Sequence, residues 1–224
     1  MTERGMKLSR RQFIKTAGMA GVSATVVGKY SLSHGARGAE DTQVVPKRTF
    51  GKTGEQVSIL SLGGIIDFRQ NQLLLNQALK MGVTYWDTAE VYINGASEEG
   101  IGRYFERYPE DRKKVFLVTK AHPAKGPEPD DLTKSLTGSL ERLKTSYVDL
   151  YFLHAVDNVE KKLTPEVKKW AEKAKADGKI RYFGFSTHAN MPDCLEAAAK
   201  LGWIDGIMMT YNYRTMAGGQ MKAA

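Results

Sequence analysis

A single cysteine, Cys194, stands among the 224 residues, and its isolation excludes an intramolecular disulfide and any cysteine-cluster metal site. Set inside the helix-like run "PDCLEAAAKLG", it reads as a packed small side chain and not as a reactive thiol. Long hydrophobic runs are missing too. The uncharged stretch "TAGMAGVSATVVG" has 13 residues, short of the roughly 20 that a membrane span needs, and no later segment comes closer. Acidic residues are scarce at the front of the chain, where residues 1–39 hold seven Lys or Arg against Glu3 alone, a net of +6. The formal charge of the whole is +8, so only +2 remains for residues 40–224, which removes the electrostatic case for a nucleic-acid partner. At 42% hydrophobic and 26% charged, the composition is that of an ordinary globular protein with one substantial core.

The basic front segment has its own order: "MKLSRRQFIK", then the uncharged stretch, then the small-residue run "SHGARGAE". That is the n-region, h-region and cleavage-site order of an export signal. The pair Arg10 and Arg11 in "SRRQFIK" closely resembles the twin-arginine consensus. Residues 1–39 are therefore expected to be a twin-arginine signal peptide, with residues 7–15 engaging the translocase and cleavage between Ala36 and Ala39. This route exports folded proteins, so folding in the cytoplasm and a periplasmic or extracellular destination follow as expectations, with no stable membrane span left after cleavage.

From Lys47 onward short apolar runs alternate with amphipathic ones. "KRTFGKTGEQVSILSLGG" reads as two strands around the turn "GKTG" and a third ending at Gly63 and Gly64. "NQLLLNQALKMG" is expected to be a helix burying Leu74, Ala78 and Met81, and Ser97 to begin the next one, with Ile101, Tyr104, Phe105 and Tyr108 at helical spacing. "VTYWD", "VFLVTK", "VDLYFLH", "IRYFGFS" and "GIMMTYN" are strands. Leu132, Leu136, Leu140 and Leu143 stripe one helix between them. Another has Thr164 as N-cap, Pro165 at its first position, Val167, Trp170, Ala171 and Ala174 on its buried face, and Gly178 beyond its end; a third runs from Met191 to Leu201. Such alternation, with strands apolar on both faces, predicts a parallel sheet covered by helices, and right-handed crossovers set all strand C-termini on one side. The aromatics Trp86, Tyr151, Phe152, Phe183 and Phe185 read as core.

On that side the polar residues recur at one beat: Asp87, Lys120, His154 and Ser186, spaced by 33, 34 and 32 positions. Taken singly, Asp87 suits a turn cap, His154 a satisfied structural histidine and Lys120 a solvated charge. Together, at the C-terminal ends of parallel strands, they stand where α/β folds place their sites. Neither a usable Ser-His-Asp order nor a metal-ligand cluster is present. An acid, a lysine, a tyrosine and a histidine suit proton transfer to a carbonyl oxygen. Tyrosine, with an ordinary pKa of about 10, needs a nearby cation to serve near neutrality, and Lys120 is the candidate.

These residues resemble the aldo-keto reductases: "RTFGKTGEQVSILSLGG" for the hairpin and first barrel strand, "YWDTAEVY", "VFLVTK", "DLYFLH", and "GKIRYFGFSTH" followed by "GIMMTYN". The resemblance covers about residues 47–214. It implies a (β/α)8 TIM-type barrel with an N-terminal β-hairpin, occupying residues 40–224, and a nicotinamide cofactor, NADP before NAD, at the C-terminal rim. It implies Tyr92 as general acid, Lys120 as its cationic neighbour, Asp87 as the partner of Lys120, and His154 orienting a small-molecule carbonyl substrate. Gly64, Asp87, Ser186 and Thr187 are the implied cofactor contacts. The chain has no GxGxxG, a device this family does not use. Two departures stand out. Met208 occupies the position where many relatives carry a carboxamide-binding glutamine. The chain also ends soon after its sixth strand, whereas an eight-unit barrel runs to about 250 residues, so about six of eight βα units and a C-terminally truncated barrel are expected. The main expectation is an NAD(P)H-dependent reductase of aldehydes or ketones; the alternative is a non-catalytic exported barrel fragment that binds or assembles with a partner.

Overall fold

The computed structural model describes residues 44–122, 127–217 and 219–224. The segment read as a signal peptide lies outside the described residues, as do residues 123–126. Strands β1 (Lys47–Thr49) and β2 (Gln56–Ser58) pair antiparallel, with Arg48 opposite Val57. Gly54 takes φ +78° in the connection, a conformation that glycine adopts without a Cβ penalty.

Six further strands follow, β3 (Ser61–Gly63), β4 (Tyr85–Asp87), β5 (Phe116–Ala121), β6 (Val148–Leu153), β7 (Ile180–Thr187) and β8 (Gly206–Met209). All pair in parallel and in sequence order, forming a curled half-barrel, an incomplete (β/α)8 barrel with its N-terminal hairpin. The helices are α1 (Gln72–Lys80), α2 (Ala96–Arg107), α3 (Pro129–Leu143), α4 (Val159–Lys162), α5 (Pro165–Ala176), α6 (Met191–Leu201), α7 (Tyr213–Ala217) and α8 (Gly219–Ala223).

Because side chains alternate across a strand, each strand feeds two cores. Val57, Phe116, Val118, Leu150 and Phe152 form a small inner cluster, with Tyr85, Tyr182 and Met208 packed against it. The outer core holds Trp86, Leu117, Tyr151, Leu153, Phe183 and Phe185 against the apolar stripes of the helices, including Leu132, Leu136 and Leu143 of α3. Phe116, Val118 and Lys120 thus form one inward column on β5, and Leu150, Phe152 and His154 the next. The strands are staggered: Asp87 is level with Val118, two residues before Lys120, and Lys120 is level with Phe152, two residues before His154. That offset keeps the inward parity from strand to strand, so the polar residue crowning each column points to the same side.

Several local expectations hold in detail. Thr164 caps α5 by accepting from the Val167 amide, Pro165 is its first residue, and Gly178 turns at φ +69° beyond its end. Trp170 is only partly buried and donates its Nε1–H to Thr133 at 2.9 Å. Others need correction. Helix α1 buries Leu75 and Ala78, while Leu74 is 40% and Met81 54% exposed; Leu74 with Ala78 and Met81, and Leu75 with Ala78 and Leu79, both fit helical spacing, and packing selects the second. Ser97 is not a cap: Gly95, at φ +88°, holds the position before α2, and the Ser97 hydroxyl is fully buried.

Two glycines of α2 mark its closest contacts. A Cβ on Gly102 would lie 2.0 Å from the Arg142 carbonyl oxygen, and one on Gly100 would lie 2.3 Å from the Phe68 carbonyl carbon. Helix propensity alone gives Gly→Ala a gain of about 1 kcal/mol, yet the obstructing atoms are backbone and yield poorly. Gly100→Ala and Gly102→Ala are therefore expected to destabilise by about 1–3 kcal/mol; urea denaturation checks this, and a stabilised variant refutes the packing.

Candidate active site

Lys120 crowns the inward column of β5 and is fully buried. A buried ammonium needs partners, and three oxygens meet it: Asp87 Oδ2 at 2.7 Å, the Thr88 carbonyl at 2.7 Å and the Tyr92 hydroxyl at 3.3 Å. Asp87 comes from the neighbouring strand β4. Burial pushes its carboxyl up from the ordinary value, and the Lys120 ammonium pulls against that rise. The second carboxylate oxygen, Asp87 Oδ1, is buried with no hydrogen-bond partner among the described residues.

Tyr92 arrives from the loop after β4. The Thr88 amide donates to the Val118 carbonyl, and the Glu90 amide to the Lys120 carbonyl, so the loop stays laced to β5 beyond the end of β4. The chain then makes a left-handed turn, with φ +50° at Ile93, +53° at Asn94 and +88° at Gly95. Gly and Asn accept this region readily; a β-branched Ile is strained there. The turn leaves the Tyr92 ring with its centroid 4.7 Å from Lys120 Nζ, close enough for a cation–π attraction as well as the hydrogen bond.

His154 crowns the β6 column, its amide donating to the Ala121 carbonyl at 2.8 Å. Its ring lies edge-on to Tyr92, centroids 5.8 Å apart, and edge-on to His122 at 5.5 Å. Burial, then the charges of Lys120, His122 and His188, push its pKa down to about 4. The imidazole is therefore neutral at pH 7, and its Nδ1 is buried without a partner among the described residues.

The implied cofactor contacts fare differently. Ser186 points inward and accepts from the Ala155 amide at 3.1 Å, which leaves its own hydroxyl proton to donate. Thr187, the next residue, faces the helix layer: it is fully buried and donates to the Ala189 carbonyl at 2.7 Å, so its side chain does not join the rim cluster. Gly64 presses on the strand carrying Asp87; a Cβ there would lie 2.1 Å from the Asp87 carbonyl oxygen, so the glycine is required by backbone approach. Met208 pairs in register with Ser186. His122 and His188 are exposed at the mouth. A cavity of about 680 Å³ also opens at the opposite, hairpin end of the strands, lined by residues such as Lys47, Glu55, Lys80, Asp149 and Arg181; none of the rim residues reaches it.

Sequence reasoning did not single out Glu98. An acid in the first turn of a helix ordinarily sits in water and complements the helix dipole. Here Glu98 is fully buried and accepts from Thr119 Oγ1 at 2.5 Å and Arg142 Nε at 2.7 Å. No local signal marks it, because its partners lie 21 and 44 positions away in the chain.

A family model described as "Aldo/keto reductase family" matches residues 58–220. Aldo-keto reductase yakc of Schizosaccharomyces pombe, whose name specifies NADP(+), is 39% identical over 127 residues, covering 52% of this chain and 36% of that protein. The uncharacterized oxidoreductase YqkF of Bacillus subtilis is 31% identical over 182 residues, 74% of this chain and 56% of that protein. The holo form of aldo-keto reductase AKR11C1 from Bacillus halodurans superposes with a TM-score of 0.65 at 28% identity, covering 75% of this chain and 58% of that one. The matches thus span about a third to somewhat over half of these relatives' lengths.

The environment of His154 has a measurable consequence. Its folded pKa is depressed to about 4, against about 6.5 in an unfolded chain. The stability this supplies is present above about pH 6.5 and is lost as the pH falls from there through about 4. An NMR titration is expected to place the His154 midpoint near 4 and to move it upward in His122→Ala. A midpoint at or above 6.5 contradicts the buried, cation-flanked environment.

Proposed function

The chain belongs to the aldo/keto reductase family, and from that premise we propose that it reduces the carbonyl of an aldehyde or ketone, using a nicotinamide cofactor and Tyr92 as proton donor. The observation that carries this reading is the buried Lys120 ammonium, which touches the Tyr92 hydroxyl and the Asp87 carboxylate at once. A phenol gives up its proton more readily beside a cation that stabilises the phenolate, and Asp87 holds that cation in place.

A substrate carbonyl seated between Tyr92 and His154 accepts hydrogen bonds from the phenol and from a neutral imidazole. Both donors are aimed before reaction, so charge developing on the oxygen meets oriented dipoles. The phenol O–H bond then breaks, its proton passes to the carbonyl oxygen, and the phenolate remains facing Lys120.

The residues fit a nicotinamide nucleotide. Asp87 Oδ1 and His154 Nδ1 are buried polar atoms without partners among the described residues, a costly state that a polar ligand relieves. When bound, the cofactor would supply a hydride to the carbonyl carbon, so that the C=O π pair moves onto the oxygen that Tyr92 protonates. Asp87 and Ser186 are the residues proposed to hold its polar groups, with Gly64 permitting close backbone approach beside Asp87. NADPH is favoured over NADH because the yakc relative is named for NADP(+). The front segment adds a location to the proposal: residues 7–15 engage the twin-arginine translocase, and the barrel domain is exported already folded.

Tyr92→Phe is expected to lower kcat for carbonyl reduction by roughly 10²–10⁴-fold, while NADPH affinity, followed by fluorescence titration, stays within about twofold because the phenol hydroxyl serves the substrate. Full activity in this variant removes Tyr92 as the acid.

A further inference from the structure

We propose that Ser97 and Glu98, at the start of α2, are positioning residues that hold Tyr92 against Lys120. The proposal rests on Tyr92 being the proton donor. Tyr92 is separated from α2 only by the left-handed turn Ile93–Gly95, so the place of the tyrosine is set by wherever the first turn of α2 is anchored.

That turn is anchored on four elements by buried polar groups. Ser97 Oγ donates to the Gly64 carbonyl at 2.5 Å, just beyond β3. It also lies 2.6 Å from Thr88 Oγ1; since the serine proton goes to Gly64, Thr88 is the donor of that second bond. Glu98 accepts from Thr119 on β5 and from Arg142 on α3. Two of these partners adjoin the Lys120 site. Thr88 supplies the carbonyl that Lys120 Nζ grips, and Thr119 precedes Lys120, facing outward where Lys120 faces inward. Arg142 also lies over the turn, its Cδ 3.2 Å from where a Cβ on Gly95 would stand.

Such an arrangement is a costly way to gain stability alone, since apolar packing commonly serves as well as a buried ion pair. What it provides is register. Rotating or sliding α2 by one residue would leave the buried Glu98 carboxylate and the Ser97 hydroxyl unpaired, so only one placement of the preceding turn is tolerated. The left-handed Ile93 persists because both its ends are tied, at Glu90 to β5 and at Ser97 and Glu98 to the strand ends and α3.

The test uses the full chain labelled with 3-fluorotyrosine, with the Tyr92 fluorine signal assigned from Tyr92→Phe. In Glu98→Ala the Tyr92 signal is expected to shift toward that of free fluorotyrosine and to broaden, while those of Tyr147 and Tyr182, which pack against Arg112 and Glu55, stay in place. Carbonyl reduction is expected to lose roughly 10- to 100-fold in kcat, the scale of a displacement of about 1 Å, with KM nearly unchanged. Glu98→Gln, which keeps one acceptor and the shape, is expected to recover part of the loss. Thr119→Val removes only the hydroxyl partner and decides the matter if Glu98→Ala does not fold; a smaller shift in the same direction supports the proposal. An unmoved Tyr92 signal in folded Thr119→Val or Glu98→Ala overturns the latch, as does movement of all tyrosine signals together. Full activity in Tyr92→Phe overturns instead the role of Tyr92 as acid, and with it the catalytic purpose of the latch.

Discussion

A lysine ammonium with no exposure to water is the constraint around which the rim is built. Taking such a charge out of water costs several kcal/mol even after the surroundings relax, and that cost is tolerable only if oxygens meet it from close by. Lys120 finds them on three residues of one upstream segment: a carboxylate, a backbone carbonyl and a phenol. Each partner is itself constrained by the contact. Asp87 is fixed at the end of β4, Thr88 is held so that its carbonyl faces inward, and Tyr92 is drawn back across the turn that follows it. Removal of any one partner leaves the remaining charge undercompensated, so the cluster behaves as a unit.

The half-barrel is what makes that convergence inexpensive. Parallel strands with right-handed crossovers bring their C-terminal ends to one side, and the two-residue stagger between β4 and β5 and between β5 and β6 preserves the inward parity. The inner core below the rim is small and aromatic, with Phe116 and Phe152 filling the space beneath Lys120 and His154. That apolar floor lowers the local dielectric response and makes every polar contact above it count for more. The same burial keeps His154 neutral beside the Lys120 ammonium.

A second polar layer lies on the helix side of the same strands. Ser97, Glu98, Thr88, Thr119 and Arg142 tie α2 to the sheet directly behind the rim. Strain collects between the two layers, in the left-handed residues after Tyr92 and in Ala155 at φ +56° after His154. Both follow residues of the rim cluster, which fits the general tendency of unfavourable backbone conformations to gather where side chains must be aimed.

Much of this was legible in the chain itself. The spacing of about 33 positions from Asp87 to Lys120, His154 and Ser186 is the repeat of one strand, one helix and two connections, and it marks the rim by itself. Strand alternation separates Phe116, Val118 and Lys120 from Leu117 and Thr119, and the Thr164–Pro165 start of α5 is a local signal that local geometry obeys. The phase of α1 was not legible, because stripes through Leu74 and through Leu75 share Ala78 and both fit helical spacing. Nor was the burial of Glu98, since its partners lie 21 and 44 positions downstream. The family resemblance implies Thr187 beside Ser186 as a cofactor contact, and the strand turns its side chain to the helix side, where it donates to the Ala189 carbonyl. The sequence by itself thus determined the order of elements, the inward and outward faces of the strands, and which residue types crown each column. Only the tertiary structure decided which atoms meet there, because periodicity encodes faces along one element, whereas contact between residues 28 to 33 positions apart depends on how strands stagger and helices dock.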